Sequence, residues 1–251
     1  MIEPISPTDL LEASDDDPYC RIAALGGEVS RAWAGAGAVV WLRHDEQGRP
    51  RLASIGSPRA AASVVPEVAA NHPDGLRASL PRGGYAYLPD DLNATHVGDW
   101  DWFCTTSAPA SQPGEPLVSW LTASDDDEIR ALLREVSPGA STWPGDARAR
   151  RWAGLRTPGG RLAAALADTS QVPRIGHLSS VATALDARGN GYGTALTAWA
   201  TRQFLAEAAD LVTLGMYAEN DTARRMYERL GYRCAHQFSG GHVEPSNVVS
   251  V

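Results

Sequence analysis

The chain has 251 residues and a net charge of −8 at pH 7, and 43% of its residues are hydrophobic. That length and apolar content can fill a sizeable core, whereas the lack of a basic excess argues against nucleic-acid binding. The first residues have no basic, apolar leader and no run of eighteen apolar residues occurs, so we expect neither membrane insertion nor export, and a cytoplasmic protein.

Three widely spaced cysteines, Cys20, Cys104 and Cys234, are odd in number and have no histidine at a ligand spacing. This pattern favours free thiols over a disulfide framework or a zinc site. We therefore expect no bound metal.

The first half of the chain contains several predicted elements. Two apolar runs around an EQGRP turn, residues 38–45 and 51–56, predict a hairpin, and residues 58–70 predict a short helical stretch. Further strands are predicted at 84–88 and 99–107. This half shows no catalytic constellation.

A segment rich in Ser, Pro and Gly, TSAPASQPGEPL, follows at 106–117 and is typical of an exposed linker. We therefore predict two domains, 1–112 and 113–251.

The second half begins with a predicted strand at 117–121. Ser124 is then predicted to cap a helix with Asp127 as its capping-box partner, and the helix stops at Pro138–Gly139. The apolar spacing of this helix comes from Ile129, Leu132, Leu133 and Val136.

The rest of the second half contains a predicted short helix and two strands, followed by a glycine-rich loop, a helix, a strand and a helix. The predicted elements are a short helix near 146–153, strands at 161–168 and 174–185, the loop RGNGYG at 188–193, a helix at 194–210, a strand at 211–217 and a helix at 221–230.

Two kinds of phosphate loop do not fit RGNGYG. A dinucleotide-binding loop needs the spacing G-x-G-x-x-G and an acidic residue at the end of the next strand, whereas Gly189, Gly191 and Gly193 alternate. A Walker loop needs a lysine after its glycines, and the chain contains none.

The motif Arg188-x-x-Gly191-x-Gly193 is followed by Asn220-x-x-Ala223-x-x-x-Tyr227-x-x-x-Gly231-Tyr232. These two motifs, in this order and spacing, resemble the GNAT superfamily of acyl-CoA-dependent N-acetyltransferases, particularly its FR47-like branch, over residues 117–240. The resemblance implies an α/β fold with a mixed, splayed sheet flanked by helices. It also suggests that the smaller N-terminal α/β domain is a degenerate copy of the same fold.

The resemblance implies acetyl-CoA as co-substrate and direct transfer of its acetyl group to a primary amine in a ternary complex. A helix N-terminus with closely approachable backbone suits a pyrophosphate, because unpaired N–H groups and the helix dipole both favour an anion. The expected cofactor-binding residues are Val181, Ala182, Thr183, Arg188, Gly189, Asn190, Gly191, Tyr192, Gly193 and Asn220.

In similar enzymes, the tyrosine at the position of Tyr227 protonates the departing thiolate. Tyr227 also shares an apolar helical face with Met226 and Leu230, so a packing role is the alternative. Many relatives carry a glutamate eleven residues before the arginine as general base. This chain has His177 there, and Glu219 is the second candidate.

Other residues leave several alternatives open. Trp143-Pro144-Gly145 could line an acceptor pocket or simply pack beside a turn, and one of Arg224, Arg225 and Arg229 could meet a CoA phosphate. The acceptor amine is not identified by the sequence, and a homodimer is an open alternative. The competing functional hypothesis is a non-catalytic acyl-CoA-binding or interaction protein with the same fold.

Overall fold

The computed structural model describes residues 1–26 and 29–245. The chain divides into two compact units: unit 1 contains Met1–Asp101, Tyr217–Glu219 and the residues from His236 onward, and unit 2 contains Trp102–Met216 and Asn220–Ala235. Neither unit is one continuous stretch of chain, so the domain boundary between residues 112 and 113 stays a prediction.

Helices and strands are mixed along the described chain. The first half contains β1 (Glu3–Ile5), α1 (Leu10–Ala13), α2 (Pro18–Leu25), β2 (Val29–Gly35), β3 (Ala38–His44), β4 (Pro50–Gly56), α3 (Pro58–Ala62), α4 (Val65–Ala70), β5 (Leu76–Pro81) and β6 (Leu92–Thr105). The second half contains β7 (Val118–Trp120), α5 (Asp126–Val136), β8 (Arg151–Arg156), β9 (Leu162–Asp168), β10 (Ile175–Thr183), α6 (Tyr192–Ala206), β11 (Leu211–Tyr217), α7 (Asp221–Arg229) and β12 (Arg233–Pro245). None of the described helices is long and apolar enough to cross a bilayer.

Unit 1 contains the strand order β1-β2-β3-β4-β5-β12. Neighbours pair antiparallel except β4 and β5, which run parallel. β12 comes from the other end of the sequence and pairs with β5 from Phe238↔Pro81 to Val243↔Leu76. The core beneath this sheet is apolar and includes Trp33, Val40, Leu52, Val65 and Leu80.

The hairpin predicted in unit 1 is confirmed as β3 and β4, and the predicted helical stretch is confirmed as α3 and α4. The strand predicted at 84–88 is wrong, because Gly84–Tyr87 forms a 3-10 helix. Gly83 turns the chain with φ +80°, and the Tyr85 hydroxyl donates to the Ala78 carbonyl at 2.9 Å, so these aromatic residues fold back over β5.

Unit 2 contains the strand order β11-β10-β9-β8-β7, with β10 and β11 parallel and the other neighbours antiparallel. Every residue of β9 is buried. Helices α5 and α6 both contact β9 and β10. Because β9 is buried throughout, its sequence is an unbroken apolar run ending in an aspartate and does not alternate between apolar and polar residues.

Two predictions for unit 2 are corrected. Asp125, not Asp127, accepts the backbone N–H at the start of the helix, from Thr122 at 2.7 Å. Residues 146–153 form turns and the start of β8 rather than a helix. Asp146 holds the turn by accepting the Arg148 N–H at 2.9 Å, and Arg151 pairs with the buried Asp168 at 3.0 Å across two strands.

The remaining strands and helices predicted for unit 2 are present, with shifted ends. The helix after the glycine loop begins at Tyr192 and ends at Ala206, earlier at both ends than expected. None of the three cysteines forms a disulfide with another described residue; Cys20 and Cys104 are buried, and Cys234 is partly buried.

Gly176 on β10 provides a test of the packing in unit 2. A Cβ added there would lie 2.6 Å from the Phe204 ring, which α6 buries against the strand. We expect Gly176→Ala to lower the free energy of unfolding by about 1–3 kcal/mol, because an overpacked core must shift to accept the methyl group. Urea unfolding measures this change.

Gly159→Ala is the matched control, because its Cβ would meet only the Thr157 hydroxyl at 3.9 Å. Its unfolding midpoint should stay unchanged or rise slightly. An equally stable Gly176→Ala variant would contradict the packing described for this strand.

Candidate functional site

The site in unit 2 begins where two parallel strands separate. β10 and β11 pair from Ile175↔Leu211 to Leu178↔Leu214, and the described pairing ends there. β10 nevertheless continues to pair with β9 at Ala182 and Thr183. The last third of β10 therefore keeps one neighbour and leaves its other edge, with the backbone of Val181 to Thr183, beside an opening in the sheet.

A bulge accompanies this separation. The β9–β10 register shifts between Ser179 and Ala182, and Ser180 has φ +50°, a left-handed conformation that is rare for a residue with a side chain. The Ser180 hydroxyl donates to the Thr142 carbonyl at 2.9 Å and accepts the Thr142 N–H at 3.1 Å. The loop after α5 thus fixes the bulge in place.

Sequence reasoning missed this bulge. The one available signal was the pair Ser179-Ser180 within an otherwise apolar strand. The Ser179 hydroxyl also bonds the hydroxyls of Ser141 and Thr142, at 2.8 and 3.1 Å.

The glycine-rich loop follows β10 and leads into α6. Gly189 and Gly191 have φ +81° and +75°, conformations that favour glycine, and no atom lies within 4 Å of a Cβ built at either position. Gly191 is the N-cap of α6 and provides no side-chain cap. The first turn of α6 therefore has no side-chain cap from Gly191 and lies next to open space at Gly189 and Gly191, and uncapped helix N-termini bind anions through their backbone N–H groups.

The loop, the end of β10 and α7 converge. A Cβ on Gly193 would lie 3.1 Å from the Thr183 hydroxyl and 3.6 Å from the Met226 sulfur. Arg188 is exposed with its Nε 3.5 Å from the Thr183 carbonyl, and the Asn190 amide donates to the Ala187 carbonyl at 3.1 Å. The structure thus brings together the loop and strand residues predicted for cofactor binding.

Tyr227 lies on the inner face of α7 and is 4% exposed. Its ring centroid lies 6.1 Å from that of Phe103 and 5.9 Å from that of Tyr232. Burial raises the pKa of Tyr227, so the phenol remains protonated at neutral pH. The Tyr232 hydroxyl forms a hydrogen bond with the Thr201 hydroxyl at 2.6 Å. The Tyr227 hydroxyl has no hydrogen bond to the described residues and keeps some solvent-accessible surface.

His177 lies on the paired part of β10, four residues before Val181, or about 13 Å along the strand. Its Nδ1 is 2.7 Å from the Thr213 hydroxyl on β11. Burial lowers the pKa of His177 to about 4, against a smaller opposing effect of the Asp168 charge. His177 as general base stays a prediction, and both its position and its weak basicity count against it.

The other predicted residues occupy diverse surroundings. The Asn220 side chain caps α7 by accepting the Ala223 N–H at 3.0 Å. Arg224 lies over the Phe103 ring at 5.7 Å, and Arg225 and Arg229 are exposed. Trp143 is partly buried and donates to the Ala140 carbonyl at 3.0 Å, which fits a packing role.

No group of three potential metal ligands is assembled within residues 1–26 and 29–245.

Comparisons with known proteins agree with this geometry. A model of the FR47-like protein family matches residues 154–239. A GNAT-family acetyltransferase structure from Novosphingobium aromaticivorans is 21% identical, with a TM-score of 0.56 and coverage of 97% of this chain and 100% of the other. The chain is also similar to a GCN5-related N-acetyltransferase from Sphaerobacter thermophilus, with 14% identity, a TM-score of 0.58 and coverage of 100% of this chain and 97% of the other. A GCN5-related N-acetyltransferase from Kribbella flavida is 20% identical, with a TM-score of 0.56 and coverage of 98% of each chain. No curated protein matches the chain in sequence.

The chain therefore has the fold of the GNAT acetyltransferases, which confirms the predicted fold class. Within this fold, the residues that match the FR47-like model, 154–239, include the separated strand, the glycine loop and α7. That unit 1 derives from a second copy of the fold stays a prediction.

The pKa of His177 can be tested through stability. A folded pKa of about 4 lies below the ordinary value of 6.5, so between these pH values the unfolded chain binds a proton that the folded chain does not. We expect the unfolding free energy contributed by His177 to be complete above about pH 6.5 and to be lost as the pH falls toward 4. Chemical unfolding of the wild type and of His177→Gln across this range measures it.

The His177→Gln variant should lose this part of the pH dependence. The exposed His44 gives the control, since His44→Gln should retain the His177 contribution. If NMR showed the His177 ring titrating near pH 6.5, its buried position beside Thr213 would be wrong.

Proposed function

We propose that this protein is an N-acetyltransferase that moves an acetyl group from acetyl-CoA to a primary amine by direct attack in a ternary complex. The observation that carries the proposal is the pairing of an uncapped helix N-terminus with the open edge of β10. An acyl-CoA needs both features, because its doubly charged pyrophosphate is joined to an extended, amide-containing pantetheine arm.

The residues present fit that ligand. Gly189 and Gly191 leave space for phosphate oxygens, and the first N–H groups of α6 offer donors beside the positive end of the helix dipole. The backbone of Val181, Ala182 and Thr183 can bond the amides of the pantetheine arm as an added strand would. Arg188 is exposed beside the loop and would supply a positive charge for a phosphate.

Acetyl-CoA, when bound, supplies a thioester whose carbonyl carbon is attacked by the amine nitrogen while the carbon–sulfur bond breaks. A backbone N–H near Val181 or Ala182 would donate to the carbonyl oxygen as negative charge develops there. Tyr227 keeps its proton at neutral pH and its hydroxyl is unbonded, so it can deliver that proton to the departing sulfur.

The proton released by the amine must leave by another route. His177, with a pKa of about 4, would hold such a proton poorly, since alkyl ammonium groups are far weaker acids. We therefore propose that water accepts this proton, or that the amine reacts from its minor neutral form. Glu219, the second candidate for the general base, belongs to unit 1 and is exposed, and its role as a base stays a prediction.

A non-catalytic acyl-CoA-binding protein is the competing proposal. It is supported by the absence of a carboxylate base on β10, where histidine stands instead. The unbonded hydroxyl of Tyr227 supports the enzyme, because a purely structural tyrosine is usually bonded, as Tyr232 is to Thr201.

Removal of one hydroxyl tests the chemical role of Tyr227. We expect Tyr227→Phe to lower kcat about 100-fold or more, the usual range for a lost general acid, with CoA affinity unchanged. Thiol release from acetyl-CoA with a panel of primary amines measures turnover, and calorimetry measures CoA affinity. Tyr232→Phe is the control, because its hydroxyl is occupied by Thr201 and it should affect stability rather than kcat. Unchanged turnover in Tyr227→Phe would contradict this role.

A bulky anion placed in the glycine loop tests the binding site. We expect Gly191→Glu to abolish CoA binding measured by calorimetry, through steric bulk, backbone strain at φ +75° and like-charge repulsion. Gly160→Glu is closely matched, with φ +85°, an equally open surrounding and the same added charge in unit 2. It should bind CoA normally. Normal affinity in Gly191→Glu would refute the assigned site.

A further inference from the structure

Unit 1 contains a cavity of about 400 Å³ that the cofactor site does not use. Its walls come from β5, β6, β12, the last residue of β11 and Glu219 after it, and all lining residues belong to unit 1. A space of this size accommodates a compound of roughly amino-acid dimensions.

Glycine forms one wall of this cavity. A Cβ at Gly241 on β12 would lie 2.1 Å from the Thr95 carbonyl oxygen and 2.8 Å from the Tyr85 hydroxyl, so only glycine fits there. At the neighbouring Gly240, a Cβ would lie 3.6 Å from the Trp100 indole nitrogen. Because glycine has no side chain, the space at this position remains part of the cavity.

Aromatic rings form another wall. Trp100 stacks on Phe238 with ring centroids 4.4 Å apart, which fixes the plane of the indole. Its N–H has no hydrogen-bond acceptor among residues 1–26 and 29–245 and is not fully enclosed. Tyr217 lines the cavity and is 59% exposed, and Val97 beside it is 64% exposed. Apolar surface this exposed beside a cavity favours a ligand with an apolar or aromatic body.

The carboxylate of Asp99 is already engaged. It accepts hydrogen bonds from Ser239 at 2.8 Å and His96 at 2.9 Å, and Arg82 lies 3.3 Å away. Burial alone would raise the pKa of Asp99, but these partners outweigh burial and lower the pKa. Asp99 therefore shapes the wall and has little capacity for a further cation.

Two charged residues of the lining remain without an ion-pair partner in the described part of the chain, Glu219 and Arg77. Glu219 is exposed at the end of the segment that leads directly to Asn220, the cap of α7. Arg77 makes one side-chain contact, from its Nε to His242 at 3.4 Å. One carboxylate and one guanidinium around an aromatic-walled cavity match a ligand that has both an ammonium and a carboxylate.

We propose that this cavity binds a small amino acid or amino-acid derivative with an apolar or aromatic side chain, its ammonium toward Glu219 and its carboxylate toward Arg77.

Direct binding tests this proposal without requiring turnover. The probes are L-phenylalanine, 2-phenylethylamine, which lacks the carboxylate, and 3-phenylpropanoate, which lacks the amine, each titrated into the full chain by calorimetry. Other apolar and aromatic amino acids are titrated beside phenylalanine, and the tightest is taken forward with its two matched analogues. We expect each analogue to bind at least 10-fold more weakly than its parent amino acid.

Substitutions assign the two contacts. Glu219→Gln should weaken the amino acid at least 10-fold and leave the affinity of the analogue without the amine unchanged. Arg77→Gln should also weaken binding of the amino acid at least 10-fold. It should leave the affinity of the analogue without the carboxylate unchanged. Glu46→Gln removes the same charge from an exposed turn of unit 1 outside the cavity and should bind like the wild type.

The outcomes separate this proposal from the transferase proposal. Three results would overturn the cavity assignment, whatever the result for CoA. They are that none of the amino acids binds, that amino-acid binding is unchanged in both Glu219→Gln and Arg77→Gln, or that the simple amine binds as tightly as the amino acid. Turnover with any amine leaves the cavity assignment unaffected, because that assignment is judged by amino-acid binding alone. Failure of CoA binding would remove the transferase while leaving the calorimetric result for the cavity intact.

Discussion

The separation of β10 from β11 after the Leu178↔Leu214 pair is the feature on which the rest of unit 2 depends. A strand that leaves a parallel neighbour exposes backbone N–H and C=O groups, which is costly unless another group bonds them. The bulge at Ser180 is how the chain maintains this departure, because its left-handed conformation redirects the strand while Ala182 and Thr183 keep their pairing with β9. The opening is therefore built into the backbone.

The strain at Ser180 is compensated locally. Two hydrogen bonds with the Thr142 backbone hold the bulged residue, and Thr142 is itself buried. This explains why the segment after α5 is irregular: its backbone is committed to the bulge and to the turn at Asp146, and neither is compatible with a helix there. A strained residue held by its surroundings beside an open strand edge is typical of a functional site.

Local sequence signals predicted the elements whose stability is local. The hairpin β3–β4 follows from two apolar runs around a turn, and α7 follows from Asn220, its apolar face and Gly231 at φ +85°. Elements that depend on distant partners were missed. β12 is polar and contains glycines, and it is a strand because it pairs with β5, more than 150 residues earlier. The aromatic run at Gly84–Tyr87 has strand propensity, but the Tyr85 hydrogen bond to Ala78 favours a tight turn.

The candidate site shows the same division. The glycine loop was recognisable because positive φ values demand glycine, whereas the environment of His177 depends on Thr213 from another strand. Tyr227 shows why a motif residue cannot be assigned to either packing or chemistry from its spacing alone. Its ring is part of the core and this burial raises the pKa of the phenol, while the hydroxyl has no hydrogen bond to the described residues. Packing the ring against Phe103 and Tyr232 restricts the direction of the hydroxyl, so the structural role of Tyr227 would be the means of holding the proposed proton donor in one place.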